Sequence, residues 1–378
     1  MNNFTYRMPM TVYFNEDSNV IEEELAKAGE NILLAYGGGS IKKNGIYDEL
    51  MAMLTRLDKN VVEFSGIMPN PTYAKVQEGA KLCRQHKIDF ILAVGGGSVF
   101  DCVKIVSLQA KTDEDIWAMQ ERQEYTTNGI PFGAILTVSG TGSEMNNIAI
   151  ITNEDKHIKG PLMGSYAKFA LLNVNYTMSV PMPQVISGAF DTFSHAMETY
   201  FGKHKNVSDD IALAIMKNTV TNMLKMKEDP TNKEIRSELM WDSAMAENGI
   251  LKIGKITDFQ IHQIEHQLGA YTNCNHGYGL AVITPHFYEH LYLYNISAFV
   301  KFGKVVWDLK GDDLEIAEKS IDCLAHFIKE MGLPTTFKDM HITDKSILRK
   351  VADTCNIMPG CAKQFSRDEL YNILLECL

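Results

Sequence analysis

No run of the chain approaches the roughly 18 uninterrupted apolar residues that a membrane-spanning helix needs, so no such helix is expected. No basic patch offsets the formal net charge of -11, and a nucleic acid or an anionic membrane would be repelled. The seven cysteines (Cys83, Cys102, Cys274, Cys323, Cys355, Cys361 and Cys377) are scattered, odd in number and form no C-x-x-C. A disulfide framework or thiolate zinc clip is therefore not expected, and a reducing cytoplasm fits. The opening stretch MNNFTYRMPMTVYF has neither a charged n-region nor an apolar h-region, so no secretion signal is expected.

The 378 residues are 45% apolar and 22% charged, the make-up of a soluble globular protein too long for one ordinary core. Up to about residue 180, short apolar runs alternate with amphipathic segments: NILLAY (31–36), VVEF (61–64), FILAV (90–94), AILTV (134–138) and FALLNV (169–174). Runs apolar throughout suit a parallel sheet covered on both faces, with helices predicted over 42–57, 72–86 and 98–110. After SVPMPQ (179–184) strand-like runs stop. Helical spacing takes over in 184–201, 207–227, 233–250, 258–270 and 313–331, so the second half is expected to be helical throughout. The prolines at the break place the domain boundary there, giving 1–180 and 181–378.

Two glycine turns, AYGGGSIKKNG (35–45) and AVGGGSVFD (93–101), each follow a predicted strand and open a predicted helix. Glycines let the backbone approach a phosphate, and the free amides and positive end of the following helix attract its charge. Neither turn completes G-x-G-x-x-G, since Lys42 and Phe100 hold the third glycine position. Each turn alone is equally compatible with a structural role. Together they point to a dinucleotide, with Gly95, Gly96, Gly97 and Ser98 as the pyrophosphate cradle. Ser40, Lys42 and Lys43 follow the first turn and favour the 2'-phosphate of NADP, with Glu63 a competing ribose acid that would favour NAD. A third polar turn, TVSGTGSEMNN (137–147), would bring Thr137, Thr141 and Ser143 to the same crevice, or merely end a strand.

In the second half, FDTFSHAMETYF (190–201) sets Asp191 and His195 one helical turn apart. The segment DFQIHQIEHQLGAYTNCNHGYG (258–279) repeats the device with His262 and His266 and adds His276 in a loop; the other histidines show no comparable pattern. Imidazoles with one carboxylate and no thiolate suit a catalytic divalent ion, zinc or iron(II). Spacing does not choose between His262 and His266 as the ligand.

The motifs YGGGSIKKNGIYDEL, PNPTY, AVGGGSVFDCVK, GTGSEM, FDTFSHAMETY, IHQIEHQLGAY and NHGYGLAVITP occur in order, and the chain thereby resembles the iron-containing, metal-dependent alcohol dehydrogenases, in their butanol dehydrogenase and NADPH-dependent aldehyde reductase branch. The resemblance implies an α/β Rossmann-like domain with a parallel sheet, then an all-α domain, the architecture of dehydroquinate synthase, with a metal at the cleft between. It implies Asp191, His195, His262 and His276 as ligands to one Fe2+ or Zn2+, and His266 beside the substrate. It places Gly38, Gly39 and Ser40 in the NADP-using pattern, Gly95, Gly96, Gly97 and Ser98 on the pyrophosphate, and Thr137, Thr141 and Asp101 near the cofactor. Lys104 falls in the same nucleotide segment, and Asn146 and Lys159 match polar family positions more loosely. A homodimer is also implied.

The expected activity is reversible hydride transfer between NADP(H), with NAD(H) possible, and a primary alcohol or aldehyde. A dehydroquinate-synthase-like lyase would need basic residues around an acidic substrate; near 184–201 and 258–279 there is no arginine, only Lys203 and Lys255. The same residue patterns also admit an NAD-using glycerol or diol dehydrogenase, or a protein that binds a metal or nucleotide without catalysis.

Overall fold

A computed structural model describes residues 2–378. Within it the chain divides into two compact units, Arg7–Val180 and Pro181–Leu378, and residues up to Tyr6 group with the second, where the Asn2 amide donates to the Gly254 carbonyl at 3.1 Å.

The first unit runs β1 (Thr11–Phe14), α1 (Asn19–Lys27), β2 (Asn31–Tyr36), α2 (Ser40–Lys43), α3 (Ile46–Arg56), β3 (Asn60–Phe64), α4 (Tyr73–Gln85), β4 (Phe90–Gly95), α5 (Gly97–Gln109), α6 (Ile116–Glu121), β5 (Phe132–Leu136), β6 (Ile148–Asn153), β7 (Ile158–Met163), β8 (Phe169–Leu172) and α7 (Val174–Thr177). Six strands form one parallel sheet in the order β1-β8-β5-β4-β2-β3. The inner strands β4, β5 and β8 are buried at every position and β2 at all but its first, which is why their sequences are apolar on both faces. On one face, Ile32, Leu34, Leu92 and Val94 pack with Ile21, Leu25, Ile46 and Leu50 of α1 and α3.

Three local features depart from the sequence expectation. The helix predicted over 42–57 is two helices, because Asn44 and Gly45 interrupt it and Gly45 takes a left-handed φ of 84°. Strand β1 lies at the sheet edge beside β8 and is too short and half-exposed to announce itself. Strands β6 and β7, absent from the sequence expectation, pair antiparallel as a separate two-stranded ribbon; the apolar run of β6 is only four residues, 148–151, and β7 is interrupted by Lys159, Gly160 and Pro161.

Strand order reverses direction at β2 and β4: from β2 the chain steps outward to β3, then crosses back to β4 on the other side. Ligands of open parallel sheets bind beyond the carboxyl ends of the strands at such a switch point. Both glycine turns leave from it, since Tyr36 and Val94 are paired and each strand ends within a residue or two of that pair.

The second unit is helical: α8 (Met182–Tyr200), α9 (Val207–Glu228), α10 (Lys233–Glu247), α11 (Gln260–Thr272), α12 (His276–Leu291), α13 (Ile296–Val306), α14 (Asp313–Glu330), α15 (Lys345–Thr354) and α16 (Arg367–Glu376). Helix α8 is buried at every position from Ala189 to Tyr200, so its two ionisable side chains of interest, Asp191 and His195, lie inside the bundle. Helix α12 carries Pro285 in its interior, a break in donor pattern that sequence periodicity does not bridge. No helix among the described residues is long and apolar enough to cross a membrane.

Gly133 of β5 leaves the space that the Phe169 ring fills; an added Cβ would stand 2.2 Å from that ring. Gly133→Ala is expected to cost about 1–3 kcal/mol through overpacking and to lower the thermal midpoint by several degrees. Gly38→Ala, where a Cβ meets nothing within 4 Å, is the control expected to leave it unchanged.

Candidate functional site

In the helical unit, one carboxylate oxygen is the hub. Asp191 Oδ1 lies 3.6 Å from His195 Nδ1, 3.5 Å from His262 Nε2 and 3.4 Å from His276 Nε2. The His195 and His262 rings stack with centroids 4.5 Å apart. His266 stands to the side, its ring stacked on His276 at 5.6 Å and edge-on to His262 at 6.1 Å. All five side chains singled out in the sequence are thus brought together, and the structure separates the two members of the H-x-x-x-H pair: His262 faces Asp191, whereas His266 lies against His276.

Local structure explains the convergence. Asp191 and His195 share a face of α8 one turn apart, and Glu198 follows on the same side. The Glu198 carboxylate lies at the start of α11, where Oε2 accepts from the amides of Ile261 (2.9 Å) and His262 (3.3 Å), a favourable place for negative charge. Helix α12 begins at His276; the Asn275 side chain caps it by accepting from the Tyr278 amide at 3.1 Å and from Ser187 Oγ of α8 at 2.6 Å. Gly277 is obligatory there, since a Cβ would fall 2.3 Å from the Ser187 carbonyl oxygen.

Burial would push the Asp191 carboxyl up, but His195 and His276 with the neighbouring His262 hold it well below the usual carboxylate range. Burial pulls His195 down. It pulls on His262 and His276 too, yet Glu198 and Asp191 push His262 up to about 10, and Glu265 with Asp191 raises His276. A buried group of acids demands compensating positive charge, as protons on imidazoles or as a cation.

The donor set fits a divalent ion. Asp191 Oδ1, His195 Nδ1 and His262 Nε2 are buried, face one another and have no hydrogen-bond partner, which is costly for polar atoms unless something joins them. Tetrahedral ligands at about 2.0–2.2 Å from an ion stand roughly 3.3–3.6 Å from each other, and the three spacings from the hub are 3.4, 3.5 and 3.6 Å.

The α/β unit holds the nucleotide candidates. Gly38 and Ser40 are exposed, and a Cβ at Gly38 or Gly39 would meet open space. At the second turn the glycines are closely packed: a Cβ at Gly97 would lie 2.3 Å from Thr141 Oγ1, and one at Gly96 would lie 3.0 Å from Val138. The turn and the third polar loop therefore touch, with the Thr137 amide also donating to the Gly95 carbonyl at 2.8 Å. Ser98 lies in the first turn of α5, the 13-residue helix whose amino end this turn forms. Asp101 and Lys104 brace the same loop from within: Asp101 accepts from Ser143 Oγ (2.5 Å) and the Ile150 amide (3.0 Å), and Lys104 Nζ donates to Ser143 Oγ, Asn146 Oδ1 and the Ile148 carbonyl. Lys159 is buried in the ribbon strand β7.

Sequence reasoning passed over Glu198 and Glu265, which hydrogen-bond His262 Nδ1 and His276 Nδ1 respectively. Spacing carried a faint signal for both: Glu198 is seven residues from Asp191, and Glu265 adjoins His266. The structure also groups His286 and Glu289 of α12 with Glu376 at the end of α16, their ligand atoms within 4.8 Å, at exposed or half-exposed positions where no pattern was expected. Gly277→Ala is expected to push the start of α12 off α8, lowering the thermal midpoint and the number of ions bound per chain, measured by elemental analysis.

The family model for iron-containing alcohol dehydrogenase matches residues 9–174, and that for the C-terminal part of the same family matches residues 185–378. The chain is 37% identical over 352 residues to NADH-dependent butanol dehydrogenase A of Clostridium acetobutylicum, covering 90% of each chain. It is 31% identical over 355 residues to the NADPH-dependent aldehyde reductase YqhD of Escherichia coli, covering 92% of this chain and 91% of that one. Among solved structures, NADH-dependent butanol dehydrogenase A of Thermotoga maritima superposes with a TM-score of 0.93 at 30% identity, over 100% of this chain and 99% of the other. With both halves matched, and with a carboxylate–imidazole cluster whose spacings fit a divalent ion, the chain belongs to the iron-containing alcohol dehydrogenase family.

Proposed function

We propose that this protein interconverts a primary alcohol and its aldehyde by hydride transfer with NAD(P)(H), the helical unit holding one Fe2+ or Zn2+ and the α/β unit holding the dinucleotide. The observation that carries this is the ring of three imidazoles around Asp191 Oδ1. When bound, the ion supplies a Lewis acid for the substrate oxygen and the nicotinamide supplies or accepts the hydride.

The residues of the chain do the rest. Asp191, His195, His262 and His276 would hold the ion, the first three buried so that water is kept from that side and His276 half-buried at the open side. His266, next to His276 and outside the ring around the hub, moves the proton to and from the substrate oxygen through its imidazole. Gly95, Gly96, Gly97 and Ser98 receive the pyrophosphate at the amino end of α5, while Thr137 and Thr141 line the same crevice, braced by Asp101 and Lys104.

Both oxygens of Glu63 are engaged: Oε1 accepts from Tyr47 Oη at 2.6 Å, and Oε2 accepts from Lys42 Nζ at 3.0 Å and from Tyr36. The acid that an NAD ribose would require is thus already occupied, while Ser40 and Lys43 face outward from Gly38 and Gly39 as donors for a 2'-phosphate. This supports NADP(H) as the preferred partner. A small weakly charged alcohol or aldehyde, a cytoplasmic setting in keeping with seven free cysteines, and a homodimer complete the proposal. A mass of twice 42.4 kDa by light scattering would bear out the dimer.

Butanal-dependent oxidation of NADPH is expected, faster than that of NADH and abolished by a chelator; chelator-insensitive turnover, or none, would count against the proposal. His276→Ala is expected to lose both ion and turnover. His266→Ala should keep the ion and lose turnover by about 10²–10⁴-fold.

A further inference from the structure

Two of the three imidazoles around Asp191 are held from behind by a buried glutamate. His262 turns Nε2 to Asp191 Oδ1 and Nδ1 to Glu198 Oε1, and His276 turns Nε2 to the same oxygen and Nδ1 to Glu265 Oε2. His195 differs: Nδ1 rather than Nε2 is the atom facing Asp191. Both glutamates are fully buried.

Glu265 is the more finely placed of the two. Its Oε1 lies 3.8 Å from Cys274 Sγ, in the loop that leads into His276. Across from it, α12 presents Gly279; a Cβ there would stand 2.8 Å from Glu265 Cγ and 3.3 Å from Oε1. The side chain is therefore confined between the loop and the first turn of α12, and only a residue without a side chain at 279 leaves it room.

We propose that Glu198 and Glu265 are positioning residues for the metal centre, each accepting a hydrogen bond from the Nδ1–H of one histidine so that its Nε2 lone pair points to the ion, and that Gly279 sets the seat of Glu265. The proposal rests on the assignment of Asp191, His195, His262 and His276 as ligands. An acceptor behind an imidazole fixes both tautomer and ring orientation and raises ligand basicity. A carboxylate there also adds negative charge near the ion, so the centre carries three buried acids, Asp191, Glu198 and Glu265, against one dication.

Zinc affinity of the full chain is measured by competition with a chromophoric chelator, alongside the visible absorption of the Co2+-substituted protein. Glu265→Gln and Glu198→Gln keep shape and remove charge; each is expected to weaken binding by about 10–100-fold and to shift the Co2+ bands. Gly279→Ala leaves every charge in place, and it is expected to weaken binding and shift the bands by displacing Glu265. Glu265→Asp should recover part of the loss. Affinity within threefold of the parent and an unchanged Co2+ spectrum in Glu265→Gln would overturn the role of Glu265. If that variant does not fold, Gly279→Ala and Glu265→Asp decide by the same criteria. A parent protein that binds no ion, or an Asp191→Ala variant that binds as the parent does, overturns the ligand assignment itself, a result distinct from failure of the glutamate variants alone.

Discussion

The helical unit is organised around an electrostatic debt: a carboxylate with an unpartnered oxygen, enclosed by three imidazoles at 3.4 to 3.6 Å. Removing a charge from water costs several kcal/mol even after relaxation, so such a group persists only where the surrounding helices are held firmly enough to present compensating charge. Helix α8 supplies Asp191 and His195, α11 supplies His262, and the first residue of α12 supplies His276. Their mutual fit depends on contacts between the helices themselves: Glu198 at the start of α11, Asn275 bonded to Ser187, and Gly277 against the Ser187 carbonyl.

The α/β unit solves the opposite problem. A dinucleotide would bring negative charge, and what the unit offers it under the proposed function is backbone: glycine turns that free amides, and a 13-residue helix whose positive end begins at the second turn. Here side chains act mainly as braces. Lys104 is wholly buried and directs its donors to Ser143, Asn146 and the Ile148 carbonyl, and Asp101 engages both oxygens with Ser143 and Ile150. The loop that carries Thr141 is thereby tied to α5, the helix that the second glycine turn opens. One chain thus combines a candidate cation site made of side chains with a candidate anion site made of main chain, each suited to the charge of the ligand proposed for it.

Fold class, and the residues that converge in the candidate site, were legible because the responsible patterns are local. Apolar runs without a polar face announce inner strands, and β2, β4, β5 and β8 are where those runs lie. Acid and imidazole one helical turn apart announce a shared face, as Asp191 and His195 have. The misses share a cause as well. The β6–β7 ribbon stands outside the parallel sheet and is held by tertiary contacts such as Ile150 to Asp101 and Ile148 to Lys104, and the break in the 42–57 helix depends on Gly45 adopting a left-handed φ that a sequence pattern does not reveal.

By itself the amino-acid sequence determined which residue types could bind a metal and a phosphate and on which helix or turn each would sit, because side-chain period and glycine freedom act over a few residues. Only the tertiary structure decided that His262 faces Asp191 while His266 lies against His276, that Glu198 and Glu265 stand behind two imidazoles, and that Glu63 is occupied by Lys42, Tyr36 and Tyr47. Those outcomes depend on the angle at which α11 and α12 meet α8 and on which strand lies next to β2. Spacing within a single element carries no information about either.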